Sequence, residues 1–121
     1  MRAFIYSFLV LAGLTFTTCK KNQLGGKSHI KGTVVHHSRY LPNARVFIKF
    51  NATEFPGKDT TVYDAKVWTD DKGNYSITCY QGNYYLYGFA YDDQFVKNVS
   101  GGIPVKIRNN ESLNLDVAVA E

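Results

Sequence analysis

Thr69-Asp70-Asp71-Lys72-Gly73-Asn74-Tyr75-Ser76-Ile77-Thr78-Cys79-Tyr80-Gln81-Gly82-Asn83-Tyr84-Tyr85-Leu86 is the stretch whose reading decides the fold. Tyr75, Ile77 and Cys79 alternate with Ser76, Thr78 and Tyr80, the period-two pattern of a strand with one buried face. Asp70–Asn74 reads as a tight turn. Gly73 supplies a residue for which positive φ costs little, and Asp70 can accept backbone amides in an Asx-type turn. Gln81-Gly82 turns the chain again, into a second and more aromatic run from Asn83 to Tyr91.

Outward from this stretch the same pattern repeats. Toward the N-terminus, strands are expected at Ile30–Val35, Ala44–Phe50 and Val62–Thr69. His36–Asn43, broken by Pro42-Asn43, connects the first two. On Ala44–Phe50 the residues Ala44, Val46, Ile48 and Phe50 share one face, opposite Arg45, Phe47 and Lys49. Residues 51–61, with Pro56-Gly57, form a polar excursion. Toward the C-terminus, Phe95–Val99 is a candidate short strand, and Ser100-Gly101-Gly102 interrupts the chain. Ile103–Ile107 and Leu113–Val119 follow, either side of Asn109-Asn110. No window shows a helical 3.6-residue period. The expected class is all-β, an antiparallel β-sandwich of about seven strands.

Four segments occur in an order that resembles the carboxypeptidase regulatory-like domain. They are Gly32-Thr33-Val34, Pro42-Asn43-Ala44-Arg45-Val46, Thr69-Asp70-Asp71-Lys72-Gly73-Asn74-Tyr75 and Gly82-Asn83-Tyr84-Tyr85-Leu86. The resemblance covers Ile30 to Tyr91 and implies a transthyretin-like (prealbumin-like) sandwich. Members of that family serve as accessory or folding modules beside zinc carboxypeptidases, at the start of outer-membrane receptors, and as stand-alone lipoproteins. The resemblance transfers no catalytic residue, and a fold does not by itself imply an activity.

The N-terminus gives the expected address. Met1-Arg2 precedes an apolar run from Ala3 to Phe16, then Thr17-Thr18-Cys19-Lys20-Lys21. This has the form of a secretory signal and is shorter than the roughly 20 apolar residues of a membrane span. Phe16-Thr17-Thr18-Cys19 resembles a lipobox, with Thr18 where Gly, Ala or Ser is usual. Cys19-Lys20-Lys21-Asn22 resembles the start of Bacteroidetes lipoproteins. The resulting division is a lipoprotein signal peptide at 1–18, a flexible tether at 19–28 and a sandwich domain at 29–121. Cys19 is the lipidation site, and the expected location is the outer membrane of a bacterial envelope, on its periplasmic or its surface side.

Composition narrows the function. The chain has 121 residues and a formal net charge of +4, one unit of it Arg2 in the leader. Apart from Lys20-Lys21 the basic residues are scattered, which argues against a nucleic-acid partner. Two cysteines, one at the lipidation site, leave Cys79 unpaired, and its alternation with Tyr75 and Ile77 points it inward as an inert core thiol. His36-His37 fall in a turn and His29 precedes a strand. Neighbours in an extended chain point apart, so the expectation is solvated histidines and no metal. Asp70, Asp71 and Asn74 supply too few oxygens for calcium. Lys31 and Asn114, on the first and last strands, are formally available for an isopeptide bond, but Glu54 and Glu111 read as loop-borne and leave it without a buried acid. No nucleophile or phosphate-loop motif occurs. No cofactor is expected, and the chain reads as no enzyme.

One surface carries a candidate function. If Tyr84, Leu86, Gly88 and Ala90 point inward, Tyr85, Tyr87, Phe89 and Tyr91 point outward, joined by Phe47 and Trp68. Such a row suits sugar rings or a protein partner; alternatively, the 51–61 excursion covers it. Asp59-Thr60-Thr61 matches an O-glycosylation pattern of exported Bacteroidetes proteins, with Thr60 as acceptor. The expected function is a lipid-anchored, non-catalytic binding or accessory module with an envelope protein or glycan as partner. The rivals are a carbohydrate-binding protein using the aromatic row, and an enzyme of unrecognised type marked by a pocket around His29, His37 or Asp70/Asp71.

Overall fold

Alternating side chains and Gly/Asn/Pro turns leave these segments one way to bury their apolar faces, which is against a second sheet. The computed structural model describes residues 20–121; the leader and Cys19 lie outside the described residues. Nine strands are present among the described residues: β1 Leu24–His36, β2 Arg39–Tyr40, β3 Arg45–Phe50, β4 Ala65–Trp68, β5 Asn74–Cys79, β6 Gly82–Asp92, β7 Lys97–Ile107, β8 Ser112–Asn114 and β9 Val117–Ala118. A single short 3-10 turn, Thr60–Val62, interrupts the excursion among the described residues.

The first sheet is organised around β1. Its one edge pairs antiparallel with β5, from His29↔Thr78 to Thr33↔Asn74, and with β2 at the hairpin end. Its other edge takes β8 and then β9, both parallel. The second sheet runs β4-β3-β6-β7, antiparallel throughout. Between them lie Ile30, Val34, Ile77, Cys79 and Val117 from the first sheet and Val46, Ile48, Tyr84, Leu86 and Ile107 from the second. The expected all-β sandwich is therefore observed, with the parallel β8 and β9 as its departure from a purely antiparallel arrangement.

Three boundaries correct the sequence reading. The expected tether is strand from Leu24 on, with an irregularity between Leu24 and Ser28, both of which face Cys79. Ser28 is fully buried and its hydroxyl donates to the Arg108 carbonyl at 2.6 Å, so β1 is anchored where free chain was expected. Ser100-Gly101-Gly102 does not break the chain; β7 runs through it from Lys97. A Cβ on Gly101 would stand 2.3 Å from the Ala118 carbonyl oxygen, so that glycine allows the C-terminal segment to cross closely. Leu113–Val119 is two short strands, because Asp116 turns aside to accept the Thr33 amide and hydroxyl at 3.0 and 2.8 Å.

The turn that opened the sequence reading forms as expected, and it carries the chain across the sandwich, since β4 and β5 belong to different sheets, as do β5 and β6. Asp70 accepts the Lys72 and Asn74 amides, each at 2.9 Å, and Gly73 has φ +80. Behind it, the Thr69 hydroxyl accepts from the Ala44 amide at 2.8 Å and donates to the Leu41 carbonyl at 2.9 Å. This buried bridge ties the start of β3 to the end of β4. On the outer edge of the second sheet, β7 carries Pro104, and Ala120 bridges to Ser100.

Candidate functional site

The outer face of the second sheet is where the aromatic row was expected, and its facing is as expected. Register places Phe47 opposite Tyr87 and Lys49 opposite Tyr85. The exposure is not. Phe47, Tyr85 and Tyr87 are 7%, 8% and 3% exposed and form a second apolar cluster with Ala52, Tyr63 and Phe89. The 51–61 excursion and Tyr63 lie over them. Tyr63 stacks on Tyr87 with centroids 5.6 Å apart, and Phe55 packs against Tyr85 and Tyr87 at 5.7 and 5.5 Å. Desolvation under this cover pushes the Tyr63 phenol up to about 12. Each ring buries on the order of 150–250 Å², enough to fold a polar excursion down onto the sheet.

Two members of the row stay open. Tyr91 is exposed near the end of β6, and Trp68 is 56% exposed at the sheet's other edge. Arg45 lies between aromatic neighbours, its guanidinium 5.5 Å from the Trp68 ring and 5.1 Å from the Phe89 ring. Beside Trp68 an open trough of about 790 Å³ runs between the edges of the two sheets, lined among others by Lys31, Thr33, Asp70, Asn74 and Asn114. Lys31 and Asn114 are register partners across β1 and β8, and both are exposed, the opposite of the buried setting an isopeptide bond requires. Thr60 is exposed at the start of the 3-10 turn, with Asp59 capping that turn by accepting from the Thr61 amide and hydroxyl.

The opposite end of β1 holds a constellation the sequence did not show. His36 is the last residue of β1 and only 3% exposed, so the expectation of a solvated loop histidine is wrong for it. His37 and Ser38 both have positive φ, 50 and 64, and His36 pairs with Arg39. This is the backbone of a two-residue hairpin loop. The chain is thus not extended at His37, and the two imidazoles meet with centroids 4.2 Å apart. Phe95 packs against both rings, at 5.2 and 4.9 Å.

Beneath them Asp92 is fully buried. Its Oδ2 lies 2.7 Å from His36 Nδ1, and its Oδ1 accepts from Arg39 at 2.9 Å and from the Gln94 amide at 3.0 Å. The His36 hydrogen bond, ahead of the others, holds the Asp92 carboxyl below the usual carboxylate range. An ionised carboxylate only accepts, so the shared proton sits on Nδ1, and Nε2 is the ring nitrogen turned away from Asp92. Nε2 faces Glu121, 3.9 Å from Oε1, while Lys97 holds Glu121 Oε2 at 3.1 Å. One ligand atom from each of His36, His37 and Glu121 falls within 4.8 Å of the others.

His29 lies toward the other end of β1, near the Thr78 hydroxyl at 3.3 Å, and takes no part. Asp70 is occupied with the β4–β5 turn, and Asp71 is exposed beside it. The signals for the cluster in sequence were the adjacent His36-His37 and the Asp92-Asp93 turn; nothing local joined positions 56 residues apart.

No family model matches the chain, and no curated protein matches it. Among solved structures it is similar to BcpA, the major pilin subunit of Bacillus cereus, with TM-score 0.53 and 16% identity, covering 79% of this chain and 30% of that one. It is also similar to a DUF3823 family protein from Parabacteroides merdae, with TM-score 0.48 and 18% identity, over 77% of this chain and 46% of that one. The chain therefore spans less than half the length of either. At this identity the likeness to the pilin subunit shows the architecture alone: the chain is a β-sandwich.

Proposed function

We propose that the chain is a lipid-anchored, non-catalytic binding or accessory module of the bacterial outer membrane, attached through Cys19. The observation that carries this reading is the way the chain enters the domain. The Asn22 amide donates to the Gln81 carbonyl at 2.9 Å, and Asn22 Oδ1 accepts the Asn83 amide at 2.9 Å. The Tyr80 amide donates to the Gln23 carbonyl at 2.9 Å. A diacylglyceryl group on Cys19 would thus be three residues from a fixed point on the β5–β6 turn. Lys20 and Lys21 would lie at the headgroups, each adding about 1 kcal/mol toward an anionic surface. Two acyl chains suffice for stable anchoring. The resemblance to carboxypeptidase regulatory-like lipoproteins supports the same reading. Mass spectrometry of the mature N-terminus tests it: an acylated Cys19, with Cys19→Ala moving the protein from the membrane to the soluble fraction, is expected. An unacylated mature terminus overturns it.

A second reading is carried by Trp68. An exposed indole beside a trough with Asp70, Asn74 and Asn114 combines a stacking face with hydrogen-bonding groups suited to a sugar ring. Tyr87 is buried and plays no part in it. Glycan-array binding that is lost in Trp68→Ala supports carbohydrate recognition; no binding to any glycan ends it.

A further inference from the structure

We infer that His36, His37 and Glu121 form a divalent metal site, suited to Zn²⁺, at the pole of the sandwich opposite the β5–β6 turn. Two imidazoles and one carboxylate are a donor set that zinc accepts, with a fourth position left for water or an outside ligand. The site is more than a coincidence of exposed side chains, because its first ligand is built in. His36 is buried, with its Nδ1 fixed by the buried carboxylate of Asp92 at 2.7 Å. That is the carboxylate–histidine–metal arrangement in which the outer carboxylate sets the tautomer and raises the basicity of the ligating nitrogen. Asp92 is itself held by Arg39 and by the Gln94 amide, at 2.9 and 3.0 Å.

The other two ligands have the freedom the first one lacks. His37 and Glu121 are exposed, so rotation of their side chains can draw the three donors from within 4.8 Å to the roughly 3.3 Å separation of tetrahedral ligands about 2.0–2.1 Å from zinc. Lys97 holds Glu121 Oε2 at 3.1 Å, which leaves Oε1 on the His36 side. Phe95 walls the imidazoles on one flank. Ser28 lies on β1 near the β5–β6 turn, and at about 3.3 Å per residue His36 stands roughly 26 Å further along the strand. The inference does not depend on lipidation.

The test uses the full chain in detergent, with Zn²⁺ affinity measured by competition against a chromophoric chelator and geometry read with Co²⁺. One equivalent of Co²⁺ should give visible d–d absorption without a thiolate charge-transfer band, since neither Cys19 nor the buried Cys79 belongs to the site. His37→Ala and Glu121→Gln, both surface changes, should each weaken Zn²⁺ binding at least about 10-fold. Asp92→Asn should weaken it about 10- to 100-fold. Lys31→Ala, remote from the site, should leave it unchanged. Absence of stoichiometric uptake overturns the inference, as does uptake unaltered in the His37→Ala/Glu121→Gln double variant or a cobalt spectrum dominated by thiolate.

Discussion

The ring of Tyr63 lies nearly parallel to that of Tyr87, 17° between planes and 5.6 Å between centroids, although one follows the excursion directly and the other lies in the centre of β6. An aromatic pair contributes about 0.5–1.5 kcal/mol beyond its buried area. Tyr63→Ala should therefore cost between about 1 and 3 kcal/mol and uncover Phe47 and Tyr87. Urea unfolding measures the first, and loss of the near-ultraviolet tyrosine dichroism the second. An unchanged midpoint would mean that the excursion does not hold down the outer face.

The same phenol gives an alkaline prediction. Burial raises Tyr63 from 10.0 to about 12, so the folded state favours the neutral ring. Its contribution to stability is complete below pH 10 and is lost as pH rises through about 12. Tyr63→Phe should flatten the loss of stability over this window, as followed by chemical unfolding at stepped pH.

On the acid side the sign reverses. Hydrogen bonds from the Asn74 and Lys72 amides hold Asp70 below its ordinary 3.8, and the Thr61 and Arg108 contacts do the same for Asp59 and Glu111. The unfolded chain takes up these protons first. Stability from the three turns is present above the unfolded values and is lost as pH falls below them through the folded ones. Asp70→Asn should show a lower midpoint at neutral pH and a shallower acid decline than the parent chain.

Thr69 should be more sensitive than its size suggests. Its hydroxyl serves one backbone donor, Ala44, and one acceptor, Leu41, both buried. Thr69→Val keeps the shape and removes both hydrogen bonds, so a loss of about 2–4 kcal/mol is expected. A loss under about 1 kcal/mol would show that water reaches the two groups.

Gly32 is a steric test of how β1 meets the C-terminal segment. A Cβ there would stand 2.0 Å from the Leu115 carbonyl oxygen, a backbone atom with no rotamer to change. Gly32→Ala should cost at least about 3 kcal/mol or prevent folding, as judged by thermal melting and recovery of folded protein.

Local pattern was enough for the sandwich and for the facing of β3 and β6. Val46 and Ile48, Tyr84 and Leu86 point into the core as alternation requires. What alternation could not convey was the second layer of burial. Phe47, Tyr85 and Tyr87 read as outward, and they are outward of the sheet, but Phe55 and Tyr63 cap them through contacts no local period encodes. Gly101-Gly102 misled because glycine pairs normally interrupt a strand; here a crossing carbonyl requires the first. The histidine cluster was illegible for a related reason. Reading His36 and His37 as part of an extended chain separates their rings, whereas positive φ at His37 brings them together, and Asp92 and Glu121 arrive only through the tertiary fold.

The outer rim of β7 has a bearing on how copies of the molecule coexist. Pro104 offers no N–H to an incoming chain, Lys97 and Lys106 crowd that margin with charge, and Ala120 already occupies the groups at Ser100. A second copy meeting the molecule along this margin finds no open ladder to extend, so its sheet cannot be lengthened from this side.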